Sequence, residues 1–169
     1  MPARRTPRAV RAAVPVTGPE KVLAGAELAD GRWAVATTAD LVVVTALPAA
    51  DVVLRRPWCD VDKAAFDPHR STIAVEWVDA APTLGLPLVD ATATNLPAVV
   101  HERVLRSVVL ADTVTVPTGT VKVAVRRDRD GSLFSQAVAG QGVDLADRTV
   151  TDVVDATEAR LREACGLPR

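Results

Sequence analysis

The chain has 169 residues, 49% hydrophobic and 24% charged, the balance of a globular domain with room for a substantial core. Its formal net charge of −1 excludes a global attraction to nucleic acid or to an anionic membrane. Cys59 and Cys165 are too few for a disulfide framework and suit a reducing compartment.

Arg outnumbers Lys, Ala and Val are abundant and Tyr is absent, a skew of GC-rich, actinobacterial-type bacterial genomes with little physical meaning. Trp33, Trp58, Trp77, Phe66 and Phe134 are the only aromatics, so the core is built mainly from Val, Leu and Ala. No apolar run approaches the ~20 residues that span a bilayer. The basic N-terminus also lacks the apolar stretch of at least ~7 residues that a signal peptide carries. The expectation is a cytoplasmic protein.

Residues 1–19 are rich in Pro and Arg and show no sustained periodicity, which predicts a disordered arm. Arg4, Arg5, Arg8 and Arg11 give this arm a formal +4, leaving −5 on the remainder. Such an arm is either a solvated tail or a contact for phosphate or lipid headgroups.

From residue 20 the pattern turns to strands. "KVLAGAEL" predicts the first, Asp30-Gly31 a hairpin turn, and "RWAVATT" a second strand with Trp33 and Val35 on one face. "ADLVVVT", "DVVLRR" and "PWCDVDKAAFD" follow. "STIAVEW" sets Ile73, Val75 and Trp77 on one face, and "TLGLPLV" does the same with Leu84, Leu86 and Leu88. About seven short strands separated by turn residues predict an antiparallel sandwich or partly open barrel.

The period then changes. In "TNLPAVVHERVLRSVV", Leu96, Val99, Val100, Val104 and Val108 fall at helical spacing, Asn95 can cap, and Pro97 suits a first turn. "DTVTV", "PTG" and "TVKVAVRR" predict a hairpin, and "DRDG" turns into a further strand, "SLFSQAVA". "TDVVDATEARLREACG" predicts a last helix, capped by Thr151 or Asp152, with Val154, Leu161 and Cys165 on one stripe and Gly166 as its stop.

Strands followed by one capping helix resemble the pleckstrin-homology-like superfold. The segment "WAVATTADLVVV" is similar to the strand–turn–strand of bacterial members: Thr37-Thr38, the turn Ala39-Asp40, then Leu41 to Val44. The likeness covers residues 20–110 and departs at Asp40, where members commonly carry a basic residue. It implies an α+β fold in which "LPAVVHERVLRSVV" closes one end of an antiparallel barrel. Residues 111–169 would then be a hairpin-and-helix extension of a single 20–169 domain. It also implies binding of phosphoinositides, peptides or partner proteins in place of catalysis.

The window "PWCDVDKAAFDPHR" gathers Cys59, Asp60, Asp62, Asp67 and His69. It lacks the paired Cys/His spacing of zinc sites and the acid-Gly-Glu pattern of calcium loops. In a strand, Asp60 and Asp62 share one face and Cys59 takes the other. Two strands around the turn "FDPHRS" is the favoured reading. No nucleophile elbow or phosphate-binding glycine motif occurs, and the scattered aromatics make no base-stacking platform.

Two functions follow. The first is a non-enzymatic binding or scaffolding domain for a partner protein, a peptide or the membrane surface. Edge strands and the groove beside the capping helix would be its contact surfaces. It uses no cofactor and no nucleic acid, and Arg4, Arg5, Arg8, Arg11, Arg55 and Arg56 are its candidate anion contacts. The second is a small metal-dependent hydrolase using Asp60, Asp62 and His69. Self-association into a homo-oligomer is open to either.

Overall fold

The computed structural model describes residues 6–46 and 48–168. The protein is α+β, with three separate antiparallel sheets; among the described residues no barrel closes. No helix among the described residues is long and apolar enough to cross a membrane. The chain divides into two compact units, residues 1–105 and 106–169, where a single domain with an extension was expected.

The first unit contains a four-stranded sheet, β1(Val22–Glu27), β2(Trp33–Thr37), β3(Asp40–Val44) and β4(Val52–Pro57), in that spatial order. Its second sheet is a meander of β5(Val61–Asp67), β6(Thr72–Trp77) and β7(Leu84–Pro87). An antiparallel bridge between Leu28 and Leu88 ties the ends of β1 and β7. At that corner the Ala29 N–H donates to Pro87 O at 2.8 Å and the Val89 N–H to Glu27 O at 3.0 Å. Helix α2(Leu96–Ser107) follows β7; Asn95 O accepts its first helical bond, from the Val99 N–H at 3.0 Å, and the Thr94 hydroxyl accepts from the Leu96 N–H at 3.1 Å.

Alternation decides which residues meet in the core. Ala34, Ala36, Leu41 and Val43 point inward from the first sheet and meet Val61, Ile73, Val75, Trp77 and Leu86 of the second, with Leu96, Val100 and Val104 of α2 completing the cluster. The opposite side chains, Trp33, Val35, Val42 and Val44, are also buried, because a helix covers them. That helix, α1(Arg8–Ala13), lies inside the segment expected to be a disordered arm, and Val10 and Val14 seat it on the sheet. Val10 and Val14, four residues apart, are an apolar pair too short to register as periodicity in a Pro/Arg-rich context. Covering on both faces explains why "LVVV" is continuous and does not alternate.

The second unit is β8(Val108–Val116), β9(Gly119–Arg127) and β10(Leu133–Ala139) in a meander with α3(Arg148–Ala164) on one face. Val121, Val123 and Val125 pack against Val150, Val154 and Leu161, as the alternation predicts. Two boundaries differ from expectation. The strand predicted from Asp112 begins at Val108 directly after α2, so Val108 pairs with Arg126 across the sheet and does not continue the helical stripe. Helix α3 starts earlier than expected, because Asp147 caps it by accepting from the Thr149 N–H at 2.8 Å. It ends as the glycine predicts. Gly166 has φ +72°, its N–H donates to Glu163 O at 3.0 Å, and the Leu167 N–H donates to Arg162 O at 2.9 Å, the paired bonds of a left-handed C-terminal cap.

Candidate functional site

The acidic window does not assemble. Trp58–Asp60 form a turn of 3₁₀-helix, not part of a strand, so the shared face expected for Asp60 and Asp62 does not exist. Cys59 is buried. Asp60 stands before β5 and His69 after it, so a seven-residue strand separates them, which at ~3.3 Å per residue is about 23 Å. Asp67 folds the turn locally, accepting from the His69 N–H at 2.9 Å and the Arg70 N–H at 3.2 Å. Among the described residues no group of three His, Cys, Asp or Glu side chains is placed to hold a metal ion.

The candidate anion contacts on β4 are already engaged by carboxylates. Arg55 Nε donates to Asp40 Oδ2 at 2.5 Å and its Nη2 to Glu20 Oε2 at 3.2 Å. Asp40 is fully buried and the Glu20 side chain is 6% exposed, so this guanidinium neutralises acids withdrawn from water. The same knot builds the β2–β3 turn. Thr37 Oγ1 accepts from the Asp40 N–H at 2.8 Å and donates to Glu20 Oε1 at 2.6 Å, while Trp58 Nε1 donates to Thr37 O at 3.0 Å. Asp40, read in sequence as an ordinary turn residue, is therefore a buried structural anion. An acid directly before the uninterrupted run Leu41–Val44 is the signal that distinguishes it.

Arg56 is held by Asp60 Oδ2 at 3.0 Å and by Asp79 Oδ2 at 2.9 Å, with its guanidinium carbon 4.3 Å from the centroid of the Trp77 ring. Its hydrogen bond holds the Asp79 carboxyl below its ordinary value. A ligand anion at either arginine would compete with two carboxylates. Of the arm residues, Arg8 and Arg11 lie exposed on α1, and Arg4 and Arg5 lie outside the described residues.

A different surface is open. Among the described residues strand β5 pairs with β6 alone, on one side, and so forms an edge of its sheet. Between β5 and α2 runs an apolar groove of about 430 Å³. Ala64 and Phe66 line one wall, Ile73 the floor, and Pro97, Ala98 and His101 the helix side. The groove exists because small residues stand where large ones would fill it: Ala64 on the strand and Ala98 on the helix. Phe66 is 38% exposed beside it, a large apolar ring left partly in water. The sequence indicates a groove beside the helix but not which residues line it, because Phe66 and Ala98 meet only through the packing of α2 on the second sheet.

In the second unit, a shallower hollow of about 290 Å³ on α3 is lined by Asp155, Glu158 and Arg162. It is occupied by its own polar groups: Ser135 Oγ donates to Glu158 Oε1 and accepts from Arg162 Nη1 at 2.9 Å. Comparison with protein-family models, curated proteins and solved structures finds no match to the chain.

Proposed function

We propose that the protein is a non-enzymatic binding module of pleckstrin-homology-like design that takes an extended segment of a partner protein along β5. The single observation carrying this reading is the coincidence of a strand edge with an apolar groove. An edge strand offers backbone N–H and C=O groups to an added strand, and an adjacent groove accepts the alternate side chains of that strand. Here Lys63–Asp67 supply the edge, and Phe66, Pro97 and Ala98 supply the apolar wall. The four-plus-three strand order followed by a helix that enters the core supports the superfold likeness.

Metal-dependent hydrolysis by Asp60, Asp62 and His69 has no such support, since β5 separates the acid before it from the imidazole after it. The arginines of β4 favour no membrane role, each being engaged by acids of the same chain.

The test is selection from a phage-displayed random peptide library on the full chain, with Ala98→Trp as the competitor surface. A tryptophan at position 98 fills the groove from an exposed helix position without entering the core. Peptides with apolar residues at alternate positions are expected to bind the native chain and to lose at least ~10-fold in affinity on the variant, the effect of removing one well-filled apolar contact. Peptides that bind both proteins equally, or no enrichment at all, would reject the reading.

A further inference from the structure

We propose that α1 is a strap that lifts from the four-stranded sheet while the sheet stays folded, uncovering an apolar face made by Trp33, Val35, Val42 and Val44. This goes beyond the groove, which lies at the second sheet of the same unit.

The strap is short. Helix α1 has six residues and no side-chain N-cap, and a helix of that length has no stability of its own in water. It stays in place through its contacts with the sheet, and these are few. Val10 and Val14 are buried, Thr6 and Ala13 are half-buried, and Pro7, Arg8, Ala9, Arg11 and Ala12 are exposed. Residues 15–19, which join the helix to β1, are all exposed, and they contain Pro15, Pro19 and a Gly18 at φ +56°. Release of α1 therefore leaves every strand pairing of the sheet in place.

The seat is shaped for the strap. Gly25 on β1 lies directly under Thr6: a Cβ there would stand 2.3 Å from Thr6 Oγ1 and 3.4 Å from Thr6 Cβ. A glycine in the middle of a strand weakens that strand, so its use here is tied to the close approach of the segment leading into α1. Beneath the helix the covered side chains are no more than 3% exposed. The closed state hides this face completely, and the open state presents one large aromatic and three valines together.

The balance of few anchors against an intact sheet sets the expected behaviour. Segments with little buried contact open locally, well below the free energy of global unfolding. Arg8 and Arg11 are carried on the outward side of the strap, so opening also frees two cationic, protease-sensitive positions.

Hydrogen exchange on the full chain tests this directly. The amides of Arg11 and Val14, which donate to Pro7 O and Val10 O, are expected to exchange at least ~100-fold faster than those of Val35 and Val42. Two variants open the strap by independent routes: Val10→Glu removes an anchor, and Gly25→Val wedges a side chain under Thr6. Each is expected to bring trypsin cleavage at Arg8 and Arg11 to the rate of an unstructured peptide while protection in β2 and β3 persists. Exchange of α1 amides at the same rate as β2 and β3 would overturn the proposal. So would loss of β2 and β3 protection in both variants, which would make α1 part of the cooperative core.

Discussion

The two units build different kinds of structure from valine-rich strands. In residues 1–105 a four-stranded sheet is covered on both faces, by the second sheet with α2 on one side and by α1 on the other. In residues 106–169 the clustered apolar core lies on one side of a three-stranded sheet, against the single helix α3. What differs is how buried polar groups are held: the first unit closes Thr37 and Asp40 in a knot with Arg55 and Glu20 at the β2–β3 turn, whereas the second buries Arg126, whose Nη1 donates to Ser107 Oγ at 3.2 Å. That knot fixes the β2–β3 turn and the end of β4, from which the chain passes to the edge strand β5. The charged groups of this knot are spent on holding the frame of the first unit, each acid being paired with Arg55 of the same chain.

The sharpest way to break this contrast is to remove the shared cation. Arg55→Ala leaves Asp40 fully buried without its guanidinium, and is expected to destabilise the first unit by about 3–5 kcal/mol in denaturant unfolding. A change below about 1 kcal/mol, the scale of an exposed ion pair, would show that the knot is ornamental. In the second unit an apolar lever tests the packing of α3 on the sheet. Leu161→Ala empties a buried position between α3 and the sheet, and is expected to lower the protection of β9 amides by about 3 kcal/mol. Gly166→Ala forces a Cβ into the left-handed region at φ +72° and is expected to lower the stability of α3 by about 1 kcal/mol, read as faster exchange in its last turn.

Acid gives the smallest effect and touches both units. Arg56 holds Asp79, and Arg160 holds Asp112, below the ordinary value of 3.8, and the hydroxyl and N–H of Thr149 do the same to Asp147. A carboxyl depressed in the folded state contributes stability that is fully present above its unfolded value and is lost as pH falls through its folded one. Titration followed by circular dichroism is therefore expected to show flat stability down to about pH 4 and a shallow decline below it, smallest where the carboxylates are most exposed.

Much of the architecture is legible in the chain itself. The alternation of Ile73, Val75 and Trp77, the Val121–Val125 series, and the Gly166 stop each follow from local periodicity and backbone chemistry, and each stands as predicted. The residues that mislead are those whose role is set by distant partners. Val108 fits a helical stripe as well as a strand, and only pairing with β9 decides for the strand. Val10 and Val14 are two valines among prolines and arginines until a sheet face is there to receive them. Arg55 and Arg56 read as available cations because Asp40, Glu20, Asp60 and Asp79 are separated from them in sequence or masked as turn residues. The groove was legible as a place beside a helix, and its walls were not, since Ala64 and Ala98 carry no signature beyond being small.

The most direct measurement is the exchange of the β5 amides in the presence of a library-selected peptide. An added strand would occupy the outward-facing N–H groups of Lys63–Asp67, so alternate amides in that stretch are expected to slow sharply while those of β7, the opposite edge, are unchanged. Binding that leaves every β5 amide exchanging at its free rate would contradict strand addition at this edge.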